Sequence, residues 1–356
     1  MTPSSVPDAT LDLLGRMPKA ELHLHLDGSL RPETALALAR ERGLDAGMDL
    51  AATSARLTAP ERCASQAELL RAFDLPIAVM QDAAALERIA AELVQDVATD
   101  GTRYAEIRWA PTLHVGRGLS LRDGIAAVVA GAGAASARTG VAVRLIAVAL
   151  RSHAPQLNRQ MAQEAVRFRD RRLTGFDCAG PEEAFPDPLL HAAAFAVARE
   201  GGLGITCHAG EWGSAPQVWR ALEVGPSRIA HGAAAADDDA LQAELIRREV
   251  TLDLCPTSNV QAGVVASLAD HPLLRLYRRG VPVTLSTDDR TVSGLTLPVE
   301  YARAHSVLGL SLPELWAINR HALSVAFLHD DEALRARLLA EFDAFARDEP
   351  ALATPF

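Results

Sequence analysis

AELHLHLDG, residues 20–28, is the stretch on which the reading of the chain turns. It is a strand-like apolar run that carries His23 and His25. Seven further runs of the same kind follow: TRYAEIRWAP (102–111), VAVRLIAVAL (141–150), LTGFDCAG (173–180), GITCHAGE (204–211), RIAHG (228–232), TLDLCPTSN (251–259) and PVTLSTDD (282–289). Helical patterns lie between most of them, at 82–99, 187–200, 238–249 and 271–279 among others, with apolar residues three and four apart. Alternating strands and helices argue for a parallel sheet. Eight strands with helical crossovers are the number that closes a (β/α)8 TIM barrel, an α/β fold; an open doubly wound sheet is the alternative. No G-x-G-x-x-G follows a strand, and Gly131 and Gly133 sit inside a helical pattern, which disfavours a dinucleotide-binding sheet.

Outside the strands, residues 30–79 are too long for an ordinary βα connection of about 2–6 residues. Pro32 suits a first helical turn, and Ser65 with Glu68 reads as a capping box, so this segment is expected to be a helical cover over the barrel mouth. Phe73, Leu75, Pro76 and Ile77 would either wall the substrate pocket or pack the cover on the barrel. Ser311 to Glu314 opens a helix after the last strand, and 331–347 reads as a terminal one.

The 356 residues are 49% hydrophobic and 22% charged, enough for an ample core, and the whole of 1–356 is read as one barrel domain. A net charge of −10 speaks against a nucleic-acid surface. Lys19 is the only lysine, so a G-x-x-x-x-G-K phosphate loop is excluded, and no G-x-S-x-G supports a serine hydrolase. Cys63, Cys178, Cys207 and Cys255 are scattered, which fits reduced, buried thiols better than a disulfide framework or a thiolate zinc knuckle. The N-terminus lacks a basic then apolar leader pattern, and the alanine-rich stretch before Arg138 is shorter than the ~20 residues of a membrane span. A soluble, cytoplasmic protein with no membrane partner is expected.

Chemistry gathers at the strand ends. Residues two apart in a strand face the same side, so His23 and His25 can converge on one point. His208 and Glu211 end the fifth run, His231 the sixth, and Asp288 and Asp289 the eighth. In a closed barrel those ends surround one pocket. Three imidazoles and a carboxylate suit a catalytic Zn2+, with Glu211 and His231 left for proton handling.

ELHLHLDGSL, DCAG, CHAGE, RIAHG, CPTSNVQAG and STDD, in this order, resemble the adenosine deaminase family, as do FDLPIAVMQ and YAEIRWAPTLHVGRGLS. The resemblance runs from about residue 18 to the last strand and on toward the C-terminus. It implies a (β/α)8 barrel with one zinc ion per chain, held by His23, His25, His208 and Asp288. It implies that Glu211 protonates purine N1 while water attacks C6, and that His231 orients and helps deprotonate that water. Asp289 would contact N7, the Gly180 backbone N3, and Asp27 the ribose 5′-hydroxyl. The substrate implied is a small purine nucleoside, adenosine or 2′-deoxyadenosine, converted to the inosine counterpart with release of ammonia.

Adenine deaminases tend to carry glutamate where Asp27 stands, which favours a nucleoside. The alternatives are a deaminase of a 5′-modified adenosine such as aminodeoxyfutalosine, a zinc amidohydrolase of another ring or amide, and a catalytically silent binding protein. An AMP deaminase would usually be longer. Arg290 and Trp212 depart from the family's usual residues. Arg290 is read as a loop or surface residue or, alternatively, as a contact to a negative substituent at the pocket rim, and Trp212 as wall packing or a substrate contact. His153 and His114 are weaker pocket candidates. His191, His271, His305, His321 and His329 read as surface or satisfied packing residues. Oligomeric state is not legible.

Overall fold

The computed structural model describes residues 6–329 and 331–353. All eight strand-like runs contribute a strand: β1 Lys19–His25, β2 Thr102–Trp109, β3 Ala142–Leu150, β4 Leu173–Ala179, β5 Gly204–Ala209, β6 Arg228–His231, β7 Thr251–Leu254 and β8 Val283–Leu285. They pair in parallel in the order β1 to β8. The last seam is made by the end of β1 and the segment just after β8: His25 N–H donates to Asp288 O at 2.7 Å and Asp288 N–H to His23 O at 3.0 Å. The (β/α)8 reading therefore holds and the open sheet does not.

The strands are shorter than several of the runs. Thr251–Leu254 is a strand, but 256–259, expected to continue it, belong to the helix Pro256–Gln261. Pro256 has no N–H to give a ladder and a φ suited to a first helical turn. After β8 the chain leaves the ladder, and Asp288 takes the left-handed φ of 66°. The 187–200 pattern opens as a 3-10 turn, Pro188–His191, before the helix Ala192–Glu200.

Helix starts follow side-chain caps. Asp82, Asp238 and Asp331 each accept from the backbone N–H three residues on. Ser311 and Glu314 form the reciprocal capping box of helix Leu312–Val325. Ser65 caps Glu68 N–H, but the Glu68 carboxylate accepts from Ala64 N–H at 2.6 Å, so only half of the expected box forms there. The 30–79 segment carries the helices Pro32–Glu41, Leu50–Leu57, Gln66–Leu70 and Asp74–Val79. Helix Leu312–Val325 docks under β1 through Asn319, which accepts from Ala20 N–H and donates to Pro18 O.

The barrel interior is ionic where most such barrels are filled by branched apolar side chains. Arg108 of β2 donates to Asp177 of β4 at 2.8 Å and to Leu22 O of β1. Arg228 of β6 lies 3.2 Å from Asp253 of β7 and also pairs with Glu106 of β2. All five of these charged side chains are fully buried. Phe327 stacks under Arg228, 3.9 Å from guanidinium carbon to ring centroid, and stops the N-terminal end. It fits because Gly204 is bare: a Cβ there would stand 2.3 Å from the ring.

Candidate active site

At the C-terminal ends of the strands, the expected residues come together. His23 Nε2 lies 3.3 Å from His25 Nε2, and His25 Nε2 lies 3.3 Å from His208 Nε2. Asp288 Oδ1 is 2.9 Å from His23 Nε2 and 3.3 Å from His25 Nε2. His231 belongs to the same knot, with donor atoms of His23, His208, His231 and Asp288 all within 4.8 Å of one another. Its Nε2 stands 3.7 Å from both Asp288 Oδ2 and Glu211 Oε1.

This knot fits a cation. Donors held 2.0–2.1 Å from a tetrahedral zinc-like ion stand about 3.3 Å apart, the spacing seen between the imidazole nitrogens. Imidazoles cannot satisfy one another nitrogen to nitrogen when both are unprotonated, and burial holds His23 well below its ordinary value and His25 at about 3. Burial pushes the Asp288 carboxyl up, but His23 and His231 outweigh it and hold the group well below the carboxylate range. Neutral imidazoles beside a carboxylate anion are the protonation states metal ligation needs.

The backbone aims these groups. His231 and Asp288 both have left-handed φ values, 67° and 66°, which cost about 1–3 kcal/mol each and turn their side chains inward at the ends of β6 and β8. Around them lies a supporting ring that the sequence reading left out. Asp177 Oδ2 stands 2.9 Å from His208 Nδ1, and Ser258 donates to Asp288 Oδ2 at 2.7 Å. Asn259 bonds His231 Nδ1 at 3.1 Å. The buried Glu182 carboxylate accepts from the N–H groups of Gly210, Glu211 and Trp212, pinning the loop that presents Glu211. Asp177, Ser258 and Asn259 lie inside motifs already singled out, as neighbours of the flagged residues; Glu182 carried no signal.

Above the knot opens a cavity of about 290 Å3. Asp27, Gly180, Glu211, Asp289 and the histidines line its floor; Gln66, Leu69, Phe73 and Ile77 of the cover segment line its roof. Leu75 and Pro76 are buried instead in packing. Gln66 reaches across to Gly180 O at 3.4 Å. Trp212 both lines the cavity and packs on the small cluster around Cys63 and Leu69. No arginine or lysine lines it, among the described residues.

Three carboxyls in the cavity are held toward the neutral form. Burial, reinforced by Asp288, pushes Glu211 up to about 8. Burial, then Asp288 and Asp27, pushes Asp289 well above the ordinary range. Burial raises Asp27 to about 6.

The remaining expectations resolve outside the cavity. Arg290 is not a rim residue: it is largely buried and paired with Asp100, which also accepts from Leu297 N–H. His153 and His114 do not line the cavity. His191 is a packing residue bonded to Asn158 and to Arg151 O. His271 is buried and bonded to Asn259 and Leu273 N–H. All four cysteines are free and buried, and no described helix is long and apolar enough to cross a membrane.

Known proteins agree with this geometry. The sequence profile of the family described as adenosine deaminase matches residues 18–344. An adenosine deaminase of Mycobacteroides abscessus is 40% identical over 347 residues, covering 92% of this chain and 95% of the relative. Among solved structures, a zinc-bound amidohydrolase from Burkholderia ambifaria superposes with a TM-score of 0.86 at 26% identity, covering 97% of this chain and 95% of that one. An adenine deaminase from Arthrobacter aurescens superposes at 0.83 with 28% identity, covering 93% and 99%. A strand-end donor knot on a TIM barrel, matched over nearly its whole length by one family, leaves a single assignment: this chain belongs to the adenosine deaminase family.

Proposed function

We propose that this protein is a zinc-dependent deaminase of adenosine and 2′-deoxyadenosine, releasing ammonia and leaving the 6-oxopurine nucleoside. The observation that carries this reading is a donor knot at the floor of a cavity that contains several carboxyls and, among the described residues, no arginine or lysine. At about 290 Å3 the cavity is at the small end of ligand pockets, about 300–1,000 Å3, and suits a nucleoside. A 5′-phosphate would meet Asp27 or Asp74 and no counter-charge.

His23, His25, His208 and Asp288 would hold the cation, which would lower the pKa of a water to about 7 and so supply a nucleophile at neutral pH. The chain's own groups carry the rest. Purine N1 and N7 are acceptors, so a carboxyl that serves them must carry a proton. Glu211 and Asp289 are held in that state by burial and by Asp288. Glu211 delivers its proton to N1 as C6 is attacked, work typically worth about 10²–10⁴ in rate. Asp289 donates to N7 and fixes the ring. His231 faces the attacking oxygen, the Gly180 backbone meets N3, and Asp27 takes the sugar 5′-hydroxyl. The apolar roof of Leu69, Phe73 and Ile77 keeps bulk water from the ring.

The test is ammonia release from adenosine, 2′-deoxyadenosine, adenine, AMP and 5′-substituted adenosines by the metal-loaded protein. The two nucleosides should lead in kcat/KM, and a faster reaction on AMP or adenine would overturn the substrate assignment. Glu211→Gln should keep its metal, measured by elemental analysis, and lose about 10²–10⁴ in kcat.

A further inference from the structure

A chain of buried hydrogen bonds runs from a helix N-terminus to the back of His231. It starts at Leu273, the first residue of helix Leu273–Arg278, whose N–H has no partner within the helix. That N–H donates to His271 Nδ1 at 3.2 Å. A backbone amide can only donate, so Nδ1 of His271 is committed as an acceptor and the ring proton sits on Nε2. His271 Nε2 lies 3.1 Å from Asn259 Oδ1. Burial also pushes His271 down to about 3, so the ring carries one proton in neutral solution.

With Oδ1 engaged, the Asn259 amide has one orientation. Its Nδ2 faces His231 Nδ1 at 3.1 Å. The reverse orientation would set an N–H of Asn259 against the N–H of His271. An amide nitrogen offers no lone pair, so His231 Nδ1 must accept. The proton of His231 is thereby placed on Nε2, the atom 3.7 Å from Glu211 Oε1 and Asp288 Oδ2 at the cavity floor. His231 and Asn259 are fully buried and His271 nearly so, which removes water as a competing partner.

We propose that His271 is a positioning residue which, through Asn259, fixes the tautomer of His231 and makes it a hydrogen-bond donor that orients the attacking oxygen, in place of the deprotonating role that the family resemblance implies for it. The relevance to turnover rests on the deaminase reading; the relay itself does not. His271 shares no surface with the cavity, so its influence passes through Asn259 alone.

The tautomer is read by 15N NMR of histidine-labelled full-length protein, with the His231 signals assigned by their loss in His231→Asn. Wild type should show His231 protonated at Nε2 and unprotonated at Nδ1. His271→Leu should scramble the tautomer and lower kcat by roughly ten- to a hundred-fold with little change in KM. His271→Gln offers the same donor and acceptor and should restore both. Asn259→Asp, which accepts on both sides, should move the His231 proton to Nδ1, and it carries the test if His271→Leu does not fold. A wild-type His231 protonated at Nδ1, or an unmoved tautomer in Asn259→Asp, overturns the proposal. Expected tautomers in a protein that deaminates no purine would sink the function reading and leave the relay standing.

Discussion

A methyl group at position 28 would stand 1.7 Å from Asp289 Oδ1. The glycine of the HLDG motif is therefore a space reserved for a carboxyl. Gly28→Ala should fold and bind metal but displace Asp289 by an ångström or so, costing about 10²-fold in kcat/KM on adenosine. Unchanged kinetics would remove Asp289 from the site. Asp27→Ala should hurt adenosine more than adenine, and an equal loss would remove its sugar role. At this scale the site was largely legible, because ionisable residues at the ends of otherwise apolar strands have few structural reasons to be there. What escaped was the ring behind them. Glu182, Asn259 and His271 bond the site from loops and helix ends, and nothing in a linear pattern marks a polar residue as the partner of another far along the chain.

Between elements, the sole lysine joins the first helix to the first strand. Lys19 Nζ donates to Gly15 O at 3.1 Å and Met17 O at 2.5 Å, taking up carbonyls at the end of helix Asp8–Arg16. Burial lowers its pKa from 10.5 to about 7. Between those values the unfolded chain holds a proton that the folded one has released. Stability should therefore rise with pH from about 7 to 10.5 by this group's contribution, and Lys19→Met should flatten the slope in denaturation series. A single 13C-lysine signal makes the titration directly readable, and a midpoint near 10 would refute the burial argument. Strand and helix order was legible from periodicity, and Pro32, Ser65 and Ser311 marked helix starts. Strand ends were not: CPTSN reads as the end of the seventh strand-like run, yet Pro256 opens a helix there.

Across the molecule, the barrel is held from inside by charges. Arg228 bridges Glu106 and Asp253, while Arg108 bridges β1, β4 and the neighbourhood of Asp253. Removing one partner strands the others without solvent. Arg228→Met should cost about 3–5 kcal/mol in chemical denaturation while leaving metal content unchanged, since Arg228 touches none of the cation donors. A loss below 1 kcal/mol would mean that water reaches the interior. Glu106 and Arg108 stand two apart in TRYAEIRWAP and so share a face, but which strands answer them is a property of closure and not of any segment.

The seam between β1 and β8 is tied by backbone bonds of His23, His25 and Asp288, three of the four residues assigned to the cation. The ion would thus act as a clasp on the barrel's last stave. Folding and cofactor loading become one event there: at a thousand times its dissociation constant, bound metal adds about 4 kcal/mol to stability. Stripping it with a chelator should lower Tm by several degrees and speed hydrogen exchange first at His25 and Asp288 amides, with the remote β3–β4 ladder opening last. A barrel of this build would lose its grip on shape where it loses its chemistry.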